Sequence, residues 1–72
     1  MRDRAVAKQA LWDRLPCAED VSRGGRTTRD VIEALIRDGT LTRKQAWRML
    51  GRWTDEGRYE YGVSLDLGWK RA

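Results

Sequence analysis

The sequence predicts a mainly α fold closed by a small antiparallel β-hairpin. Three observations predict it. Apolar residues recur at helical spacing in three stretches, about 3–15, 27–38 and 42–56. After Gly57 the period drops to two, with Tyr59, Tyr61, Leu65, Leu67 and Trp69 alternating with polar positions. Finally, 72 residues with one cysteine and no histidine allow a single domain, 1–72, with no intramolecular disulfide and no structural zinc. The stability must then come from a core, and Trp12, Trp47, Trp53 and Trp69 suit core or edge packing better than base stacking.

In the first helix, Val6, Ala10, Leu11 and Leu15 form the apolar side, while Arg4, Lys8 and Arg14 keep to the other. Pro16 disfavours helix at Leu15 and ends it there. Trp12 borders the apolar stripe, where it either caps the core or serves a homodimer through this helix. Residues 16–26 lack periodicity and contain Gly24-Gly25, so they are expected to form a loop with Val21 as an anchor. The run Ser22-Arg23-Gly24-Gly25-Arg26 is a single copy of the Arg-Gly-Gly pattern of RNA-binding tails, a weak RNA signal. Arg23 and Arg26 are candidates for phosphate contact instead.

Thr27 or Thr28 opens the second helix, and Asp30 in its first turn favours the free amides there. Val31, Ile32, Leu35 and Ile36 follow at helical spacing, and Gly39 ends the helix. Only Thr40 and Leu41 separate this glycine from Thr42, which forms a capping box with Gln45. In the third helix Ala46, Met49, Leu50 and Trp53 share the core stripe, and Trp53, Leu50, Leu35 and Leu11 are expected to be buried together. The far side carries Lys44, Gln45, Arg48, Gly51 and Arg52 before Gly57 stops the helix.

The hairpin's register follows from its alternation. A loop of Gly62-Val63-Ser64 sets Tyr61 opposite Leu65 and Tyr59 opposite Leu67, so every apolar side chain shares one face.

Charge is polarised along the chain. The total is +4 and the sequence pI about 9.8. The basic block is Arg37, Arg43, Lys44, Arg48 and Arg52 against Asp38; the acidic block is Asp55, Glu56, Glu60 and Asp66 against Arg58. Arginine outnumbers lysine, which suits bidentate contact with phosphate and guanine, although a GC-rich genome produces the same excess. No apolar run of signal-peptide or membrane-span length is present, and the single cysteine fits a reducing compartment, so a cytoplasmic location is expected. An enzyme is not expected. There is no histidine for general-base work, no paired cysteines, and no glycine-rich phosphate loop with its lysine. No cofactor or metal is expected either.

The order helix, loop, helix, tight turn, helix, hairpin resembles the winged helix-turn-helix family of DNA-binding domains. The resemblance rests on Arg29-Asp30-Val31-Ile32-Glu33-Ala34-Leu35, on Leu41 to Leu50, and on Asp55-Glu56-Gly57-Arg58-Tyr59-Glu60-Tyr61, and covers about residues 27–70. It implies three helices plus a C-terminal wing, with the helix at 42–56 reading the major groove of double-stranded DNA. By position it implies groove or backbone contacts for Thr42, Arg43, Lys44, Gln45 and Arg48, with Arg52 reaching phosphate. One departure matters. The tip Gly62-Val63-Ser64 is short and uncharged, which argues against insertion into the minor groove and leaves Arg58 and Lys70 as the hairpin's candidates for phosphate contact.

Two functions are thereby expected. The first is a small DNA-binding protein, a transcriptional regulator or an accessory factor of a mobile element. The alternative keeps the winged helix as a protein-interaction module without specific DNA binding.

Overall fold

A computed structural model describes residues 4–62 and 67–71. Its elements run α1 (Arg4–Arg14), α2 (Ala18–Ser22), α3 (Thr28–Arg37), α4 (Arg43–Asp55), β1 (Tyr59–Glu60) and β2 (Trp69–Lys70). The result is mainly helical with a two-stranded antiparallel sheet. No helix among the described residues is long and apolar enough to cross a membrane.

The two central helices begin at the same kind of cap. At α3 the Thr27 hydroxyl accepts from the amide of Asp30 at 3.2 Å, and the Asp30 carboxylate accepts from the amide of Thr27 at 3.3 Å. At α4 the Thr42 hydroxyl accepts from the Gln45 amide at 3.1 Å, and the Gln45 carbonyl oxygen accepts from the Thr42 amide at 2.9 Å. Each reciprocal pair satisfies amides that a helix start leaves unpaired. Both helices end at left-handed glycines, Gly39 (φ 80°) and Gly57 (φ 75°), a conformation other L-residues resist. The turn between α3 and α4 buries Thr40 and Leu41.

The core joins Ala7 and Leu11 of α1, Leu15 just beyond it, Val31, Ile32 and Leu35 of α3, Leu41, then Ala46, Leu50 and Trp53 of α4, and Tyr59 of β1. Trp53, Leu50, Leu35 and Leu11 are buried together, as the spacing predicts. A buried tryptophan removes roughly 150–250 Å² from water, about 4–6 kcal/mol at 25 cal/mol per Å². In a domain of this size that is a leading contribution. Trp12 lies over the core with its ring centroid 4.9 Å from that of Trp53. α4 runs unbroken through Gly51.

Three expectations are corrected. The segment 16–26 is not all loop, because α2 forms within it. The Asp20 carboxylate accepts from the Cys17 amide at 3.1 Å and from its thiol at 3.2 Å, closing the helix start. These bonds hold the Asp20 carboxyl below its ordinary pKa. Val6 is exposed, and Ala7 takes its place in the core. The larger Leu11, Trp12 and Leu15 set the rotation of α1, and four residues before Leu11 stands Ala7.

The third correction is the hairpin register. Tyr59 pairs with Lys70 and Glu60 with Trp69, instead of Tyr59 with Leu67, and Leu67 is exposed. Two contacts from outside the hairpin impose this register. The Tyr59 ring enters the core, its hydroxyl donates to Thr28 Oγ1 at 2.9 Å, and Thr28 Oγ1 donates to the carbonyl of Gly68 at 3.4 Å. A Cβ at position 68 would collide with the Tyr59 hydroxyl, so glycine is required there. On its other edge β2 meets the segment after α1: the Lys70 amide donates to the Pro16 carbonyl at 2.8 Å, and Cys17 forms a bridge with Lys70. The last strand thus sits between two neighbours. The expected loop tip at Val63 and Ser64, and the pairing of Tyr61 with Leu65, fall outside the described residues.

Candidate nucleic-acid interface

The cap at Thr42 and the core stripe of α4 together fix which side chains this helix shows to solvent. With Ala46, Leu50 and Trp53 inward, a rotation of 100° per residue brings Lys44, Arg48 and Arg52 outward at successive turns. All three are exposed, and Gly51 beside them has open space around it, with nothing within 4 Å of an added Cβ. Asp55 ends the stripe. Among the described residues, Lys44, Arg48 and Arg52 have no hydrogen-bond or ion-pair partner.

Of the remaining expected site residues, all but Arg26 have partners among the described residues. Thr42 and Gln45 cap α4, although the Gln45 side-chain amide nitrogen is not used in that cap. Arg43 reaches back to α3, where its guanidinium donates to both oxygens of Glu33 at 2.8 and 3.4 Å. That fork holds the Glu33 carboxyl below its ordinary pKa and raises the guanidinium's. Arg23 folds onto α2, 3.5 Å from Glu19 and 3.7 Å from Asp20. Arg26 lines a shallow groove with Arg37 beside the carboxylates of Asp30 and Glu33.

Two of the hairpin's cations lie against Trp12. The Lys70 ammonium donates to the Trp12 carbonyl at 2.9 Å and lies 5.4 Å from the centre of the Trp12 ring. Arg58 lies 4.8 Å from the same ring centre and 3.7 Å from Glu56. Trp12 thus rests on Trp53 within reach of two cations. Both Arg58 and Lys70, candidates for phosphate contact by position, are engaged within the fold.

Sequence reasoning missed one part of this surface. A groove of about 680 Å³ runs between α1 and α4, lined by Arg4 and Lys8 on one side and by Arg48 and Arg52 on the other. Met49 and Trp53 also line it. The signal was present in the spacing: Arg4 and Lys8 lie two turns and one turn before Trp12, so a Trp12 packed on Trp53 brings both basic residues alongside α4. The groove therefore extends the basic face of α4 onto α1.

This arrangement can bind an extended polyanion electrostatically. Among the described residues it contains no cluster of His, Cys, Asp and Glu that could hold a metal ion. No protein-family model, no curated protein and no solved structure matches the chain.

Proposed function

We propose that this protein is a winged helix-turn-helix domain that binds double-stranded DNA, with α4 in the major groove, as a transcriptional regulator or mobile-element accessory factor. The observation that carries the reading is the exposed stripe of Lys44, Arg48 and Arg52 on a capped helix whose opposite face is buried. α3, a short buried turn and α4 present that stripe as a reading helix is presented to a groove. Arg48 and Lys44 are in position to meet base edges or phosphates, and Arg52, a turn further on, to meet phosphate. The reading treats β1 and β2 as the base of the wing and gives them no DNA contact, because Arg58 and Lys70 are held against Trp12.

A second reading, a winged helix that binds another protein, draws on the exposed Trp47, Tyr61 and Leu67. One experiment separates the two. Binding to duplex DNA, single-stranded DNA and RNA is measured across a salt series for the parent protein and for Lys44→Ala/Arg48→Ala. The DNA reading expects preference for duplex and a loss of about 1–3 kcal/mol for each base contact removed. It also expects an unchanged circular dichroism spectrum, since neither residue packs in the core. Equal duplex binding by parent and variant would overturn it, and a protein partner that is lost on replacing Trp47 would support the second reading.

A further inference from the structure

Several arginines on this surface lie beside an acid. Arg23 lies 3.5 Å from Glu19, Arg43 2.8 Å from Glu33, Arg58 3.7 Å from Glu56, and Arg71 3.7 Å from Glu60. The groove between α1 and α4 is different. Arg4, Lys8, Arg48 and Arg52 converge on it, and among the described residues none of the four has a hydrogen-bond or ion-pair partner. Asp55 is the one acid in the lining. Four like charges gathered around one groove repel each other, and a polyanion laid along it relieves that repulsion and releases its own counterions.

The spacing fits a strand. Arg4 and Lys8 are one turn apart on α1, and Arg48 and Arg52 are one turn apart on α4, on the order of 6 Å along each helix axis. The groove holds about 680 Å³, more than a single phosphate occupies. It also shares Arg48 and Arg52 with the outward stripe of α4, so whatever lies in it borders whatever α4 reads.

We infer that this groove is a track for the sugar-phosphate backbone of duplex DNA, with Arg4 and Lys8 of α1 and Arg52 of α4 receiving the phosphates of one strand beside the major groove. The inference rests on the proposed DNA reading and adds α1 to the interface. α1 thereby supplies the flanking cations that Arg58 and Lys70, held at Trp12, do not.

The test compares the full chain with Arg4→Ala/Lys8→Ala and with the charge-conserving Arg4→Lys/Lys8→Arg. Each is titrated with a random-sequence duplex and with a duplex selected from a random pool, at about 50 to 200 mM salt. Two lost phosphate contacts make the slope of log K against log salt about 1.8 shallower, so across that range the parent loses roughly twelvefold more affinity than the alanine variant. The change is the same on both duplexes, and the charge-conserving variant keeps the parent slope. If the alanine variant matches the parent while Lys44→Ala/Arg48→Ala loses binding, the track is wrong and the DNA reading stands. A loss on the selected duplex alone also overturns the track, since it marks a base contact. A parent that binds no duplex at low salt overturns both.

Discussion

The outer face of α4 and the C-terminal hairpin carry the same kinds of cation and use them in opposite ways. On α4, Lys44, Arg48 and Arg52 project to solvent without a partner among the described residues. On the hairpin side Arg58 and Lys70 converge on Trp12, and Arg71 sits 3.7 Å from Glu60. The difference lies in what the neighbouring elements offer. α4 turns its apolar stripe inward and leaves its basic residues over open surface, whereas β2 ends beside the Trp12 ring and the Trp12 carbonyl, which accepts from Lys70. Positive charge read from the sequence is therefore a census of candidates, and packing decides which of them remain free for a partner.

The sharpest way to break the comparison is to disturb the hairpin alone. Gly68→Ala forces a methyl group into the Tyr59 hydroxyl, whose ring is buried. A loss of at least about 1–3 kcal/mol in urea unfolding is expected, as for an overpacked core. Stability unchanged within error would mean that Tyr59 does not occupy the slot between Thr28 and Gly68. The loss should show in the unfolding midpoint, because the damage is to packing and not to an exposed charge.

A smaller effect is expected from Lys70→Met, which keeps much of the side-chain stem and removes the ammonium. Losing a charged hydrogen bond to the Trp12 carbonyl and the contact with its ring should cost about 1–2 kcal/mol of stability. Duplex affinity and its salt slope should stay at the parent values. A slope shallower by about one would place Lys70 on a phosphate and erase the contrast with α4.

The smallest effect converts a paired arginine into a free one. Glu33→Gln removes the carboxylate that holds Arg43, with little change in stability expected because the pair is solvated. Arg43 stands at the start of α4 beside Lys44, so its release should steepen the salt dependence of duplex binding by about one phosphate contact. No change in slope would show that Arg43 already contacts DNA while paired, or never does.

The parts of this molecule legible in the sequence are those set by neighbours a few residues away. Thr27 with Asp30, Thr42 with Gln45, and the glycines at 39 and 57 fixed the ends of α3 and α4 because caps are local. The outward position of Lys44 and Arg48 followed from the same periodicity. α2 was hidden because five residues carry no period, although the Cys17–Asp20 spacing that starts it was in view. The hairpin register was not legible from its own alternation, since Thr28 and Pro16 impose it from 31 to 54 positions away in sequence. The engagement of Arg43, Arg58 and Lys70 was hidden for the same reason: each partner belongs to the folded chain. The winged-helix resemblance remains a proposal about what the helical arrangement is for.

The placement of β2 between Pro16–Cys17 and β1 also governs the order in which this chain can fold. The bond from Lys70 to the Trp12 carbonyl spans 58 positions, nearly the whole sequence. A contact of that span closes a long loop, and its entropy is recovered only once the rest is in place. During synthesis α1, α3 and α4 can therefore emerge and associate while Trp12 still lacks its covering cations and the edge at Pro16 has no strand beside it. The domain becomes complete only when its last strand has left the ribosome, so a nascent chain stalled before Trp69 would expose both an open backbone edge and a tryptophan to its neighbours.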